Sequence, residues 1–329
     1  MSHPSMRGRA AAFLFTGLLT LSACGGTPPD TGLGNSGGGG DLGASAPDSG
    51  DNFSLDLALE LARLDLQAYQ MLNDFENGQT FSLPAPYTLV QTYLTSEPFA
   101  GESAGDMVPI AFVATKDQNI YVVFRGTKTI VEWLDDAQLG QVPYTFLSSG
   151  GLTEQGFTSV YATIHSEIVQ TVNQLAQSGN FTALYVTGHS LGAALAVLAA
   201  PELAKTTPFA SPVMYSFAGP RVGNPKFGLN TYDPNVATSW RVVNTNDLVP
   251  KLPNQVTVVF EGGTYKTYFY QHVETELDVT FGNPVSGPTD VTDIEFNHSL
   301  CNYYNTLCAE TSDPQACEQQ ADGADGCNT

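Results

Sequence analysis

The chain alternates between apolar positions at helical spacing and apolar positions at strand spacing, and it begins with a predicted helix over residues 55–72. Apolar residues recur there every three or four positions, at Leu55, Leu59, Ala62, Leu66 and Tyr69. Apolar runs with strand character follow at residues 87–94, 109–114 and 120–124. The pattern therefore predicts one helix that leads into a set of short strands.

From residue 160 onward, predicted helices and strands alternate. Helices are predicted at residues 160–176 and 191–204, and strands at residues 183–186, 213–217, 241–244 and 256–260. This alternation is typical of an α/β fold with a mainly parallel central sheet flanked by helices. The alanine-rich helix at 191–204 suits close packing against that sheet.

The first residues have the pattern of a targeting signal. Arg7 and Arg9 precede an apolar stretch over residues 10–21, which is too short for a permanent membrane span. The stretch ends in Leu21-Ser22-Ala23-Cys24, which resembles the lipobox of bacterial lipoprotein signals, where the cysteine is acylated. We expect residues 1–23 to be a signal peptide and Cys24 to be lipidated; a plain secretory signal is the alternative.

Residues 24–51 are predicted to form a flexible linker, because they are rich in glycine, serine, proline and aspartate and hold almost no bulky side chains. We expect a folded domain at residues 52–300 and a Cys-rich tail at residues 301–329. If Cys24 is lipidated, the linker becomes a membrane tether. The protein is therefore expected to be exported, and either lipid-anchored at the outer membrane or cell surface or secreted.

The charge balance excludes one class of partner. Lys and Arg total 12 against 33 Asp and Glu, which gives a formal net charge of −21. So acidic a chain repels nucleic acid and anionic headgroups, and we expect no nucleic-acid partner. The sequence holds neither a cluster of metal ligands nor a phosphate-binding glycine loop, so no metal and no cofactor is expected. It gives no indication of an oligomeric state.

The cysteines support export. Apart from Cys24, they lie near the C-terminus, at Cys301, Cys308, Cys317 and Cys327. In an oxidising compartment this even set predicts two disulfides, which can pair in three ways. A zinc site is disfavoured because the spacing contains no CxxC pair. We expect the disulfides to staple a loop-rich tail that buries little apolar surface by itself.

The strongest local signal is Gly188-His189-Ser190-Leu191-Gly192, a G-x-S-x-G motif between a predicted strand and a predicted helix. A serine on such a tight turn has a strained backbone and needs neighbours without bulk two residues away on either side. The free N–H groups of the helix N-terminus favour a developing oxyanion. The motif therefore predicts Ser190 as a nucleophile.

A serine hydroxyl needs a base that is oriented by a third group, and in this kind of fold the chain order is Ser, acid, His. Two histidines follow Ser190, namely His272 and His298. Asp247 lies just past a predicted strand, where such sheets place their sites. Spacing alone leaves three further acids open: Asp233, Asp278 and Asp293.

Several motifs in order resemble the class 3 lipases, the fungal-type triacylglycerol lipases of the α/β-hydrolase fold. The resemblance covers roughly residues 55–305 and includes Val123-Phe124-Arg125-Gly126-Thr127, Gly156-Phe157 and the stretch around Ser190. It continues through residues 217–224, residues 243–250 and His298, which Tyr303 and Tyr304 follow. The family commonly has a histidine where this chain has Glu154.

The resemblance implies a site residue by residue. It makes Ser190 the nucleophile, Asp247 the acid and His298 the base. Leu191, through its backbone N–H, and Thr127, through its backbone N–H and hydroxyl, become the oxyanion hole. His272 is then structural or lies near the substrate groove.

A helical lid is also implied, over the segment that follows Thr127. Its apolar stripe consists of Ile130, Val131, Trp133 and Leu134. In water such a lid would cover the groove. At an oil surface the lid would open, because its apolar face gains contacts there. The alternative is an ordinary amphipathic helix packed on the core.

These expectations describe an exported lipase that cleaves triacylglycerol-type esters at an oil–water or membrane interface. Within the same chemistry, a phospholipid, a galactolipid, a feruloyl ester or a polyester remains open as substrate. The apolar lid stripe favours long acyl chains. From a different class, the chain could be a surface-tethered binding protein without catalysis, although such a protein has no need of all three triad residues.

Overall fold

Eleven strands organise the described part of the chain, which in this computed structural model comprises residues 53–96, 107–127, 140–148, 150–285, 290–321 and 327. In chain order the strands are β1 (Thr88–Thr95), β2 (Val108–Lys116), β3 (Asn119–Phe124), β4 (Gln141–Pro143), β5 (Leu152–Glu154), β6 (Ala183–His189), β7 (Val213–Phe217), β8 (Thr238–Asn244), β9 (Val256–Glu261), β10 (Thr264–Phe269) and β11 (Thr275–Val279). Seven of them form the central sheet, in the order β1-β2-β3-β6-β7-β8-β11. The other strands form two ribbons, β4 with β5 and β9 with β10.

The central sheet is mainly parallel, as the alternation of elements predicts. Strands β3, β6, β7, β8 and β11 pair in parallel. Strand β2 pairs antiparallel with β3, and β1 pairs antiparallel with β2. The predicted strand at residues 256–260 exists, but it lies in the separate β9–β10 ribbon. Strand β2 is buried from Val108 to Ala114 because both faces of the sheet are covered.

The α-helices of the described residues are α1 (Leu55–Glu76), α2 (Gln155–Ser178), α3 (Leu191–Thr206), α4 (Pro225–Phe227), α5 (Val291–His298), α6 (Leu300–Cys308) and α7 (Pro314–Glu318). A π-helix spans Gly228–Tyr232 and a 3-10 helix spans Val249–Lys251. The predicted helices at 55–72, 160–176 and 191–204 are confirmed within α1, α2 and α3. Helix α2 begins earlier than predicted because the Glu154 side chain caps it, accepting from the Phe157 N–H at 2.7 Å. None of the described helices is both long and apolar enough to cross a membrane.

Two apolar layers cover the two faces of the sheet. One layer contains the buried faces of α2 and α3, with residues such as Phe157, Ile164 and Leu195. The other contains α1 and α6, with residues such as Leu61 and Tyr304. Full burial of one leucine side chain stabilises the fold by about 1.5–3 kcal/mol, so these layers hold the sheet between helices.

The expectation of a loop-rich tail from residue 301 is wrong. The proposed boundary falls inside α6, and Tyr303, Tyr304 and Leu307 of that helix are buried against α1 and the sheet. The apolar residues of α6 recur at helical spacing, so a helix buries them better than a loop would. The disulfides join Cys301 to Cys327 and Cys308 to Cys317.

Several expectations fall outside the described residues. Backbone contacts group the described residues into one unit. The predicted signal peptide, Cys24 and the whole predicted linker lie within residues 1–52, and the lid residues Ile130, Val131, Trp133 and Leu134 lie within residues 128–139. The structure describes neither segment.

Candidate active site

Ser190 occupies the turn between β6 and α3, with backbone angles of φ 58° and ψ −122°. A positive φ is strained for a serine and is typical of functional sites. Gly188 and Gly192 must be glycines because a side chain at either position would collide with neighbouring backbone atoms. A Cβ on Gly188 would lie 2.2 Å from the carbonyl carbon of Gly192, and one on Gly192 would lie 2.1 Å from the carbonyl oxygen of Phe124. The strand and helix can therefore approach closely enough to form this turn.

Ser190, His298 and Asp247 lie in one hydrogen-bonded series. The His298 Nε2 atom is 2.8 Å from Ser190 Oγ, and the His298 Nδ1 atom is 2.8 Å from Asp247 Oδ2. Asp247 follows β8, and His298 ends α5. All three side chains are buried, so water competes little for these bonds. The arrangement can transfer a proton from the serine to the histidine while the carboxylate orients the ring.

Two further donors fix the Asp247 carboxylate. The Tyr303 hydroxyl donates to Oδ2 at 2.8 Å, and the backbone N–H of Val249 donates to Oδ1 at 2.9 Å. The same tyrosine oxygen accepts from the Asn244 N–H at 2.8 Å. Burial first, and then the Asp247 charge, raise the pKa of Tyr303 well above its ordinary value. The phenol therefore keeps its proton and remains a donor to Asp247.

His189 supports the backbone of His298, a role that sequence reasoning missed. Its Nε2 atom is 2.9 Å from the His298 carbonyl oxygen, and its Nδ1 atom is 2.7 Å from the Tyr69 hydroxyl. Burial, and then the nearby His298, lower the pKa of His189 well below its ordinary value. In the neutral ring, Nε2–H donates to the carbonyl and Nδ1 accepts from Tyr69. No sequence pattern pairs residue 69 with residue 189, because the contact joins distant segments.

The residues expected to bind an oxyanion lie beside Ser190. A Cβ on Gly126 would lie 3.1 Å from Ser190 Cβ, so the Gly126–Thr127 loop borders the serine directly. The Thr127 hydroxyl is buried and has no hydrogen-bond partner within the described residues. Leu191 begins α3, where the first N–H groups of a helix have no partner inside the helix. The turn thus presents donors next to the nucleophile position.

The other candidates lie apart from this series. His272 donates from Nε2 to the Pro250 carbonyl at 2.8 Å. Burial, and then the charge of Arg241, lower the pKa of His272 to about 3, so it is neutral and holds a loop. Of the four acids left open by spacing, it is Asp247 that contacts His298. Asp233, Asp278 and Asp293 are half-exposed or exposed.

Comparison with known proteins shows that this chain is similar to lipases. The family model for lipase (class 3) matches residues 121–257. A Caenorhabditis elegans lipase is 36% identical over 181 residues, 54% of this chain and 50% of the relative. The secreted mono- and diacylglycerol lipase A of Penicillium cyclopium is 37% identical over 145 residues, 43% and 46% of the two chains. The chloroplastic phospholipase A(1) DAD1 of Arabidopsis thaliana is 31% identical over 237 residues, which are 66% of this chain and 52% of the relative. The chain spans about half the length of these curated relatives.

Solved structures share the fold. Lipase II from Rhizopus niveus superposes with a TM-score of 0.57 at 22% identity, over 74% of this chain and 92% of that chain. A triacylglycerol lipase whose catalytic centre is a serine-protease triad superposes with a TM-score of 0.55 at 25% identity, over 75% and 92%. The predicted α/β-hydrolase fold is confirmed.

Proposed function

Because residues 121–257 match the family model for lipase (class 3), we propose that this chain is a serine hydrolase that cleaves carboxylic esters of lipids. Ser190 is the proposed nucleophile and His298 the proposed general base and acid. Asp247 orients His298, and Thr127 and Leu191 stabilise the oxyanion. The observation that carries the proposal is the series Ser190–His298–Asp247, with both hydrogen bonds at 2.8 Å.

The first half of the reaction forms an acyl-enzyme. His298 Nε2 takes the proton of Ser190 as Oγ bonds to the ester carbonyl carbon. The carbonyl oxygen becomes an oxyanion, which accepts hydrogen bonds from the backbone N–H of Leu191 and from Thr127. When the ester C–O bond breaks, the leaving alcohol oxygen takes the proton from Nε2.

The second half releases the acid. A water molecule gives a proton to His298 Nε2 as its oxygen bonds to the acyl carbon. The proton then returns to Ser190 Oγ as the acyl bond breaks, which restores the enzyme. Throughout, Asp247 accepts from Nδ1–H, so that Nε2 faces the serine and the positive form of the ring is stabilised.

Triacylglycerol-type esters are the first substrate class, because the relatives include lipases. Phospholipids are the second, because one relative is a phospholipase A(1) with which 66% of this chain aligns. The two disulfides of the described residues support a location outside the reducing cytosol. Lipidation of Cys24 and a lid formed around Ile130, Val131, Trp133 and Leu134 stay predictions.

The test compares the full chain with its Ser190→Ala variant on esters of increasing acyl length, both dissolved and emulsified, and on phosphatidylcholine. Ser178→Ala is the matched control, since Ser178 lies exposed at the end of α2. A fluorophosphonate probe reports which serine is nucleophilic. We expect the probe to label Ser190 and the Ser190→Ala variant to lose about 10⁴-fold or more in kcat.

Two results would overturn the proposal. One is a folded parent that is inactive on every ester and unlabelled by the probe, which would make a surface-tethered binding protein the better account. The other is an active Ser190→Ala variant, which would move the nucleophile elsewhere. The relative rates on acylglycerols and phosphatidylcholine decide between the two substrate classes.

A further inference from the structure

Strands β9 and β10 form a two-stranded ribbon that carries an apolar surface outside the central sheet. Their antiparallel register places Phe260 opposite Tyr265 and Val256 opposite Phe269. The turn between the strands uses Gly262 at φ 56° and Gly263 at φ 84°, as tight hairpins of this type require. The register is therefore fixed by the turn, and alternate residues point to opposite faces.

One face of the ribbon, here called the outer face, consists of Val256, Val258, Phe260, Tyr265, Thr267 and Phe269. Its large side chains are unusually exposed: Val256 56%, Val258 59%, Phe260 63%, Tyr265 78% and Phe269 53%. The rings of Phe260 and Tyr265 are 5.1 Å apart and form one continuous apolar area. Together these side chains present roughly 500 Å² to solvent, a large patch for a soluble domain.

The opposite face of the ribbon lies toward the protein and holds its charges. Thr257 is buried there, and Val259 and Tyr268 are half-buried. The charges of the two strands, Glu261 and Lys266, pair with each other at 2.9 Å. No ionisable carboxylate or ammonium group lies on the outer face, whereas the chain as a whole is strongly acidic.

The ribbon is joined to the edge of the sheet that holds the active site. The Arg221 N–H donates to the Leu252 carbonyl at 2.7 Å before the ribbon, and the Gln271 N–H donates to the Gly223 carbonyl at 2.9 Å after it. Arg221 and Gly223 belong to the loop that follows β7. Ser190 follows β6 and Asp247 follows β8, the two parallel strands on either side of β7. The connections after β6, β7 and β8 therefore leave the same edge of the sheet.

The ribbon also contacts strand β4 and Gly140, the residue before it. The Gln141 side chain donates from Nε2 to the Phe269 carbonyl at 2.8 Å, and the Tyr270 hydroxyl donates to the Gly140 carbonyl at 3.3 Å. The outer face thus belongs to a ribbon that is joined by hydrogen bonds both to the active-site edge and to β4.

Area and charge select the kind of partner. A stable contact between two copies of the chain needs about 800 Å² from each partner, which exceeds the outer face. A lipid surface needs no shape complementarity, and it accepts valine, phenylalanine and tyrosine at its polar boundary. Because the outer face has no cation and the chain is acidic, an anionic membrane is disfavoured.

We propose that the outer face of the β9–β10 ribbon is a docking surface for a lipid surface without net charge. The inference rests on the proposed function in one respect, because docking there would hold the active-site edge against aggregated substrate. The binding itself needs no catalysis. Phe260 and Tyr265 are the central contacts, since they pair across the strands and are the most exposed of the set.

The experiment measures binding to vesicles of zwitterionic phosphatidylcholine by flotation. The parent is the full chain with Ser190→Ala, so that lipid is not consumed, and with Cys24→Ser, so that no acyl chain is attached. The test variant adds Phe260→Ser and Tyr265→Ser. The control adds Leu229→Ser instead, because Leu229 is 67% exposed outside the ribbon. Vesicles containing anionic phosphatidylglycerol form a second arm.

We expect the partition coefficient to fall at least tenfold in the ribbon variant and to stay unchanged in the control, with weaker parental binding to anionic vesicles. Equal binding by parent and ribbon variant overturns the proposal. So does a dimer in sedimentation that only the ribbon variant dissociates, since a second copy would then be the occupant.

The same substitutions in the chain that retains Ser190 separate this proposal from the proposed function. We expect an unchanged rate on a dissolved short-chain ester, which also shows that the variant is folded, and a reduced rate on an emulsion. A parent that binds vesicles but cleaves no ester would refute the proposed function and leave the docking surface standing. A parent that cleaves dissolved esters but does not bind vesicles would refute the docking surface and leave the proposed function standing.

Discussion

Arg125 donates from Nη1 to the carbonyl oxygen of Gly126 at 2.7 Å, from a fully buried side chain. That carbonyl and the N–H of Thr127 belong to one planar trans peptide, in which the two groups point in opposite directions. A second bond, from Nε to the Pro109 carbonyl at 2.8 Å, fixes the guanidinium itself. Arg125 therefore sets the direction of an N–H that is proposed to bind the oxyanion.

Replacing Arg125 by lysine is expected to lower kcat about tenfold to a hundredfold and to change KM little. An ammonium group cannot hold both carbonyls in the fixed geometry of the guanidinium. The loss is smaller than the 10²- to 10³-fold expected for deleting an oxyanion donor, because the N–H remains but is less well oriented. Steady-state rates on a dissolved ester measure the effect.

Arg63→Lys is the control, since Arg63 bonds the Tyr304 hydroxyl and Gln320 away from the site. Circular dichroism establishes that both variants are folded. If Arg125→Lys changes KM and leaves kcat alone, the arginine acts on substrate binding and the peptide is held by other contacts.

Tyr303→Phe is expected to lower kcat about tenfold to a hundredfold, because it removes the hydroxyl that donates to Asp247. A hydrogen bond to a charged group contributes about 1.5–3 kcal/mol, and 1.4 kcal/mol corresponds to a factor of ten. Tyr304→Phe is the matched control on the same helix, since its hydroxyl donates to the Cys317 carbonyl. Equal kcat values for the two variants would contradict a role for Tyr303 in holding the carboxylate.

Glu154→Gln is expected to stabilise the protein at alkaline pH. Burial raises the pKa of Glu154 to about 8, and the N–H groups of Phe157 and Gly156 offset this only in part. Between an unfolded pKa near 4.5 and the folded value, the folded chain holds a proton that the unfolded chain has lost. Unfolding then releases a proton, so the free energy of unfolding falls by about 1.4 kcal/mol per pH unit as pH rises.

Glutamine keeps the oxygen that caps α2 and does not titrate. Urea denaturation between pH 5 and pH 8 should therefore give a variant that matches the parent at the acidic end and exceeds it at the alkaline end. Glu167→Gln, at an exposed position of the same helix, should follow the parent throughout. If the free energy of unfolding changed with pH in the same way for the parent and Glu154→Gln, Glu154 would already be ionised in the folded protein.

The fold could largely be predicted from the sequence because its signals are local. The spacing of apolar residues predicts α1, α2 and α3. The glycines around Ser190 indicate a turn whose close contacts are made within a few residues and with β3. The family resemblance was needed to prefer His298 over His272. Both histidines follow Ser190, and which of them reaches it depends on contacts between distant segments.

The parts that sequence reasoning missed depend on such distant contacts. The bond from His189 to the His298 carbonyl arises because α5 ends beside β6, two elements that lie far apart along the chain. The C-terminal cysteines suggested a stapled loop, whereas the side chains between them complete the apolar layer over α1. A cysteine pattern indicates a crosslink but does not indicate what the linked segments bury.

The two disulfides should differ in the stability that they supply. Cys301 and Cys327 are separated by 26 residues, and Cys308 and Cys317 by 9. Chain entropy then predicts losses of about 3.5 and about 2.5 kcal/mol in free energy of unfolding when each pair is replaced by alanine. Urea denaturation of the two double variants measures the losses, and the parent in reducing buffer gives the combined effect.

All four cysteines are buried in the layer that α6 forms with α1, so packing is altered in both variants. A larger loss from the shorter loop would therefore mean that packing around α6, rather than restriction of the unfolded chain, determines what each crosslink contributes.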